Sequence, residues 1–244
     1  MTLHFLHVGK TGGTAIKQAL KRSGLPETPY GPIVLHRHRF RTREVPPGDY
    51  FFFCVRDPVA RFLSGFYSRL DKGQPRYYSE WTDRERAAFE AFPTPQRLAN
   101  ALAGDDEGDR RLAESAMQDI RHLRFMSRYI GTPEQLEKRL EQVVFIGKQE
   151  TLGTDWEQLK ILLELPEEAR LPSSRVRAHR RDPSRDTALD KAAVRALREW
   201  YARDYELVRF CDRVRAERGW GPGPDRRRVW AYVRWRARQR VLSR

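Results

Sequence analysis

Apolar positions along the chain fall into two rhythms, short unbroken runs and stretches with helical spacing, and the two alternate from the N-terminus onward. Leu3 to Val8 is a short apolar run that ends in a glycine-containing turn, after which Ala15, Ile16, Ala19 and Leu20 space a helix over Thr14 to Leu20. Pro32 to Leu35 predicts a second extended segment, followed by a His- and Arg-rich stretch from His36 to Arg43. Phe51-Phe52-Phe53-Cys54-Val55 is apolar at every position, the pattern of a strand covered on both faces, and it predicts a central strand. Asp57 followed by Pro58 reads as an N-cap with proline at the first helical position, and Phe62, Phe66 and Leu70 carry that helix on.

The second half repeats the alternation with less regularity. The polar stretch from Arg76 to Tyr129, with scattered Trp, Phe and Leu, predicts several short helices inserted between strands. Val143 to Ile146 predicts a fourth strand, and Trp156, Leu159, Leu162 and Leu163 the apolar stripe of the helix behind it, which Pro166 helps to end. Leu189 to Phe210 has the pattern of one long helix around Leu197, Trp200, Tyr201 and Leu207. The Gly219 to Pro224 segment breaks that pattern before a basic helix containing Trp230, Val233, Ala237 and Val241. Strands alternating with helices predict an α/β fold with a mainly parallel sheet, in one domain over residues 1–218, with a helical insertion at 76–129 and a basic tail at 219–244.

Composition adds three constraints. Hydrophobic residues at 39% suffice for a core even though 33% of residues are charged, which argues against global disorder. The net charge of +14 favours anionic partners, and residues 225–244, with eight Arg and one acidic residue, supply half of it. The two cysteines, Cys54 and Cys211, form neither a disulfide framework nor a thiolate metal site, so a reducing cytoplasm is the expected home. No run is long enough to span a bilayer, and neither secretion nor membrane insertion is predicted.

The turn after the first strand carries the first chemical motif, Lys10-Thr11-Gly12-Gly13-Thr14. Between a strand and a helix, free backbone N–H groups and the helix dipole favour an anion, and two glycines let the backbone close around it. Lys10 can meet charge developing on a leaving phosphate oxygen. A kinase-type loop needs a glycine five residues before Gly9, where this chain has His4, and the lysine here precedes the glycine pair. The bland alternative is an ordinary glycine-rich turn.

A second motif, Arg56-Asp57-Pro58-Val59-Ala60-Arg61-Phe62-Leu63-Ser64-Gly65-Phe66-Tyr67, follows the third strand. Arg56 closes the strand and Ser64 lies two helical turns on, so a guanidinium fork and a hydroxyl can converge on one phosphate at the carboxyl end of the sheet. Taken together, the two motifs resemble those of sulfotransferases that use 3′-phosphoadenosine-5′-phosphosulfate (PAPS), in particular the carbohydrate branch with the heparan and uronosyl 2-O-sulfotransferases and bacterial relatives. Phe5 to Thr14 is similar to that family's 5′-phosphosulfate loop, F-x-H-I-P-K-T-G-G-T, and Arg56 to Tyr67 to its 3′-phosphate motif, R-D-P-x-x-R-x-x-S-x-F-Y. Weaker likeness continues through Phe145 to Glu150, the Asp155 to Leu163 helix, and Trp200 to Leu207. Gly9 departs from the pattern, which has proline there.

The resemblance implies a P-loop-like three-layer fold and transfer of a sulfuryl group from PAPS to a hydroxyl of a glycan or glycolipid, with no metal. Lys10 and the amides of Thr11, Gly12, Gly13 and Thr14 would hold the 5′-phosphosulfate, and Arg56 and Ser64 the 3′-phosphate. Asp57 reads as the helix cap, and Arg61 and Tyr67 as surface or packing residues. The transfer needs a base for the acceptor proton, and His36-Arg37-His38-Arg39-Phe40 is similar to the H-x-H stretch of the heparan branch. His38 is the first choice, His36 its runner-up, and two exposed histidines of a basic loop the plain alternative. His7 reads as a packing or loop-bracing residue, while His122 and His179 show no supporting pattern. Arg175, Arg177, Arg180 and Arg181 either return to the nucleotide or form a solvated charge run. The basic tail either packs on the domain or meets an anionic surface. A nucleotide kinase and a nucleic-acid-binding protein are the rival classes, and no specific nucleic acid is expected.

Overall fold

The structure, a computed structural model, describes residues 1–25, 27–173 and 187–221. Four strands, β1 (Leu3–Leu6), β2 (Ile33–Leu35), β3 (Tyr50–Val55) and β4 (Val143–Lys148), form one sheet in the order β2-β1-β3-β4. Every pairing is parallel, with Leu3 beside both Ile33 and Tyr50, and Phe52 beside Phe145. The fold is therefore α/β, as the alternation of runs and helical stretches predicts. Parallel sheets need both faces covered, and the burial agrees, since every residue of β1 and all but the first of β3 are buried.

The helices divide between two apolar clusters. One joins the sheet to α1 (Gly13–Arg22), α8 (Leu152–Leu163) and α10 (Ala202–Glu217), through Ile16 and Leu20, Trp156 and Leu159, and Leu207 and Cys211. The other centres on α2 (Pro58–Leu70), whose Phe62 and Phe66 pack with Phe89 of α3 (Asp83–Ala91), Leu98 of α4 (Pro95–Ala101), Met117 of α5 (Glu107–Asp119) and Leu197 of α9 (Lys191–Trp200). Two short helices, α6 (Ser127–Ile130) and α7 (Pro133–Glu137), lead into β4.

The stretch 76–129 thus has a packing purpose of its own, since its helices supply most of the second cluster. It is fastened to α2 by a buried ion pair. Arg69 Nε and Nη2 donate to Glu85 Oε1 and Oε2 at 2.7 and 2.8 Å, with both side chains 1% exposed.

Two expectations need correction. The single long helix over Leu189–Phe210 is two helices, because the backbone turns at Tyr201 (φ −92°, ψ 21°), whose buried hydroxyl donates to Leu123 O at 2.6 Å. The chain also stays on the domain past residue 218. Trp220 is buried 5.1 Å from the Phe145 ring, and Gly221 exchanges two hydrogen bonds with the Gln158 amide. The Arg175 to Arg185 stretch and the basic helix of the tail lie outside the described residues.

Removing Glu85 would leave the Arg69 guanidinium buried and uncompensated, a loss that costs about 3–5 kcal/mol for such pairs. Glu85→Ala is expected to destabilise the protein by that amount in denaturant unfolding, whereas Glu114→Ala, on an exposed position of α5, changes stability by less than about 0.5 kcal/mol.

Candidate active site

Strand order reverses between β1 and β3, because the chain passes from β1 outward to β2 and then returns to the other side of β1. Open α/β sheets bind ligands in the crevice at the carboxyl ends of the two strands that flank such a reversal. The loop after β1 carries the first motif and the end of β3 carries Arg56. Both border a cavity of about 520 Å³.

The loop is held by hydrogen bonds within itself and from the second motif. Thr11 Oγ1 donates to Val8 O at 3.0 Å, Arg61 Nε to Gly9 O at 3.0 Å, and Arg56 Nη1 to Lys10 O at 3.2 Å. Gly12 O accepts from Ala15 N at 3.0 Å. With these carbonyls occupied, the N–H groups of Lys10 to Thr14 find no acceptor among the described residues. Lys10 and Gly12 have left-handed φ values of 69° and 86°, and Thr11 between them does not, an alternation that gathers successive N–H groups into an anion-binding concavity. Gly13 opens α1 under the His7 ring, where a Cβ would fall 2.4 Å from His7 Cδ2. Gly9 is different: a Cβ there meets only ordinary contacts at 3.5 and 3.8 Å, so the loop does not depend on glycine at the position where the related pattern has proline.

The cavity brings together most of the residues singled out from the sequence. Lys10, Gly12, Gly13, Thr14, His38, Arg56 and Ser64 all line it. Thr11 is buried beneath the loop, its hydroxyl tied back to Val8. Lys17, Lys21, Arg37, Arg76, Tyr77 and Gln149 complete much of the wall, which makes it strongly cationic. Burial, and then the charges of Arg56, Arg61 and Arg76, push the Lys10 ammonium down to about 8. An anion placed among these groups relieves that repulsion.

The two histidines of the H-x-H stretch part company. His38 Nδ1 donates to His7 O at 3.1 Å, which leaves Nε2 as the unprotonated nitrogen of the neutral ring. Burial lowers the His38 pKa below its usual 6.5, assisted by Lys17, Lys10 and Arg121 and opposed by the His7 carbonyl. His36 is engaged elsewhere. Its Nε2 lies 2.7 Å from His4 Nδ1, whose Nε2 meets Asp49 Oδ2 at 3.0 Å, and its ring stacks 3.5 Å from Phe40. This chain of three side chains braces β1 and β2, and His36 is not part of the cavity wall.

Asp57 caps α2, accepting from Ala60 N at 2.8 Å, in line with the reading from sequence. Arg61 is neither a surface residue nor simple packing: it is 1% exposed and grips the loop at Gly9. Nothing in its local sequence marks it, since an arginine one turn into a helix is ordinary until the loop is laid across it. His122 also lines the cavity, although nothing around it in the sequence marks it.

The sequence model of the sulfotransferase family matches residues 2–210, which include the whole sheet, both motifs and the cavity wall. The chain belongs to the sulfotransferase family. No curated protein and no solved structure matches it. For this sulfotransferase, sulfuryl transfer is the activity that the fold and site have to explain. Among the described residues no group of three or more His, Cys, Asp and Glu side chains is arranged to hold a metal, and no helix is long and apolar enough to cross a membrane.

Because the His7 ring is pinned 4.0 Å from His38, Gly13→Ala forces an overpacked contact. It is expected to lower stability by about 1–3 kcal/mol in thermal unfolding. Gly9→Ala is expected to stay within about 0.5 kcal/mol of the parent protein.

Proposed function

We propose that this sulfotransferase moves the sulfuryl group of PAPS to a hydroxyl of a carbohydrate or glycoconjugate acceptor by in-line displacement. The observation that carries the proposal is the joining of the two motifs at one cavity, the Lys10 loop on one side and Arg56 with Ser64 on another. A nucleotide with phosphate at both ends of its ribose suits such a wall. The volume of about 520 Å³ lies within the usual range for small-molecule sites.

In this reading the N–H groups of Thr11 to Thr14 hold the 5′-phosphosulfate and Lys10 neutralises the bridging oxygen as it departs. Arg56 and Ser64 hold the 3′-phosphate. His38 Nε2 takes the proton of the acceptor hydroxyl while its oxygen forms the new bond to sulfur and the sulfur–oxygen bond to the phosphate breaks. The electron pair of that bond leaves on the phosphate of 3′-phosphoadenosine-5′-phosphate (PAP). The cationic wall formed by Lys17, Lys21, Arg37 and Arg76 supports the binding of polar, hydroxyl-rich acceptors, and the family likeness supports a glycan. Cys54 and Cys211 are buried and unpaired, which agrees with a cytoplasmic protein.

A kinase reading is weaker at a particular residue. His4, where a kinase loop would have its first glycine, is a buried strand residue tied to His36 and Asp49.

PAP at about one hundred times its dissociation constant stabilises a binding protein by about 2.7 kcal/mol. A clear rise in melting temperature with PAP and little with ADP is expected, and Arg56→Ala should weaken it. A rise with ADP and none with PAP would reject the reading. Labelled PAPS offered to cell-wall, capsular and glycolipid acceptors then identifies the acceptor.

The pH profile of kcat/KM should be bell-shaped. His38 must be neutral to accept a proton and its pKa is lowered, so the acid limb lies below 6.5. Lys10 must be charged to bind donor, so the alkaline limb falls near 8. His38→Ala is expected to slow transfer by about 10²–10⁴ and to leave the PAP-induced shift intact.

A further inference from the structure

His122 lies in the cavity wall with no role assigned to it by either motif. Several features hold it there. It occupies a single 3-10 turn, Arg121–Leu123, that packs on α2 at Gly65, where a Cβ would fall 2.9 Å from His122 O and 3.1 Å from its Cβ. Glu85, already clamped by Arg69, accepts from Arg121 N at 3.5 Å and so fixes the turn from the other side. The ring meets His38 edge to face with centroids 6.1 Å apart, and its Cδ2 would touch a Cβ at Gly9 at 3.5 Å.

The state of the ring follows from its surroundings. His122 Nδ1 is enclosed and has no hydrogen-bond partner among the described residues. An N–H buried without an acceptor costs about 1–3 kcal/mol, so the ring proton of this cavity-lining histidine belongs on Nε2. Burial, followed by the charges of Lys10 and His38, holds the His122 pKa well below its ordinary value, and the ring stays neutral. His122 is therefore a hydrogen-bond donor where His38 is an acceptor. Lys10, the charge that weighs most on it, stands at the leaving end of the displacement proposed above, and His38, whose ring it meets edge to face, stands at the attacking end.

We propose that His122 is a catalytic residue whose Nε2–H donates to the non-bridging oxygens of the sulfuryl group as it passes from donor to acceptor. The proposal rests on the PAPS reading of the cavity. In a displacement the sulfur, the leaving oxygen and the attacking oxygen are in line, and the three remaining oxygens carry negative charge to the side. Lys10 serves the leaving oxygen and His38 removes the proton of the attacking one, which leaves the lateral oxygens for His122. The His122 proton is shared and never transferred, so the proton balance of the reaction is unchanged.

The test compares two nucleotides that differ only in the sulfuryl group. Calorimetric affinities for PAPS and PAP would be measured on the parent protein, His122→Leu and His122→Gln, the last of which keeps an N–H near the position of Nε2. A hydrogen bond to a charged group contributes enough that its loss weakens binding by about tenfold or more. His122→Leu is expected to lose that factor for PAPS and nothing for PAP, and His122→Gln to recover part of it. Should His122→Leu melt well below the parent, His122→Met is the substitute, with the same selective loss expected. Equal losses for both nucleotides would make His122 a packing residue, and unchanged PAPS affinity would remove it from the sulfuryl site; either overturns the proposal. If the parent protein binds neither nucleotide, the donor reading itself falls and the His122 role falls with it.

Discussion

Arg56 and Arg61 reach from the second motif to the backbone carbonyls of Lys10 and Gly9 in the first, and the site depends on that grip. The chain that links the motifs is long, yet β1 and β3 are neighbours in the sheet, so the end of β3 and the start of α2 arrive beside the turn after β1. By taking up the loop's carbonyls, the arginines leave its N–H groups without an acceptor among the described residues. The same side chains add positive charge beside Lys10. The backbone of the loop and the charge around it thus both favour an anion.

The arrangement carries a cost for the protein without its ligand. Lys10 is buried beside Arg56, Arg61 and Arg76, and burial first, then the charges of the three arginines, lower its pKa. Buried ion pairs elsewhere hold the frame. Arg69 with Glu85 secures the insertion, and Arg215, paired bidentately with Asp155 at 3.0 Å, ties α10 to α8 behind β4. Cationic repulsion is concentrated where a ligand can relieve it, and compensated charge lies where the frame must be rigid.

Much of this was legible from the sequence because it rests on local patterns. The unbroken apolar run of β3, the proline after Asp57 and the glycine pair after Lys10 each specify a local structure regardless of distant neighbours. What local pattern could not supply came from tertiary contacts. Arg61 looks like any helix arginine until the loop is laid across it. His122 belongs to the site only because Gly65 permits the approach of a distant turn. At the helix break, the Tyr201 hydroxyl is bonded to Leu123, 78 residues away, and Trp220 returns to the sheet against Phe145, contacts that no local pattern shows. His36 and His38 are alike in sequence, and only their partners, His4 for one and His7 O for the other, tell the brace from the residue that lines the cavity.

The central claim is that one nucleotide bridges the two motifs. A crystal structure of the protein with PAP measures this most directly. The account predicts the 5′-phosphate seated on the amides of Thr11 to Thr14 beside Lys10, and the 3′-phosphate on Arg56 and Ser64. PAP bound at a different surface, or held at only one of its two ends, would contradict it.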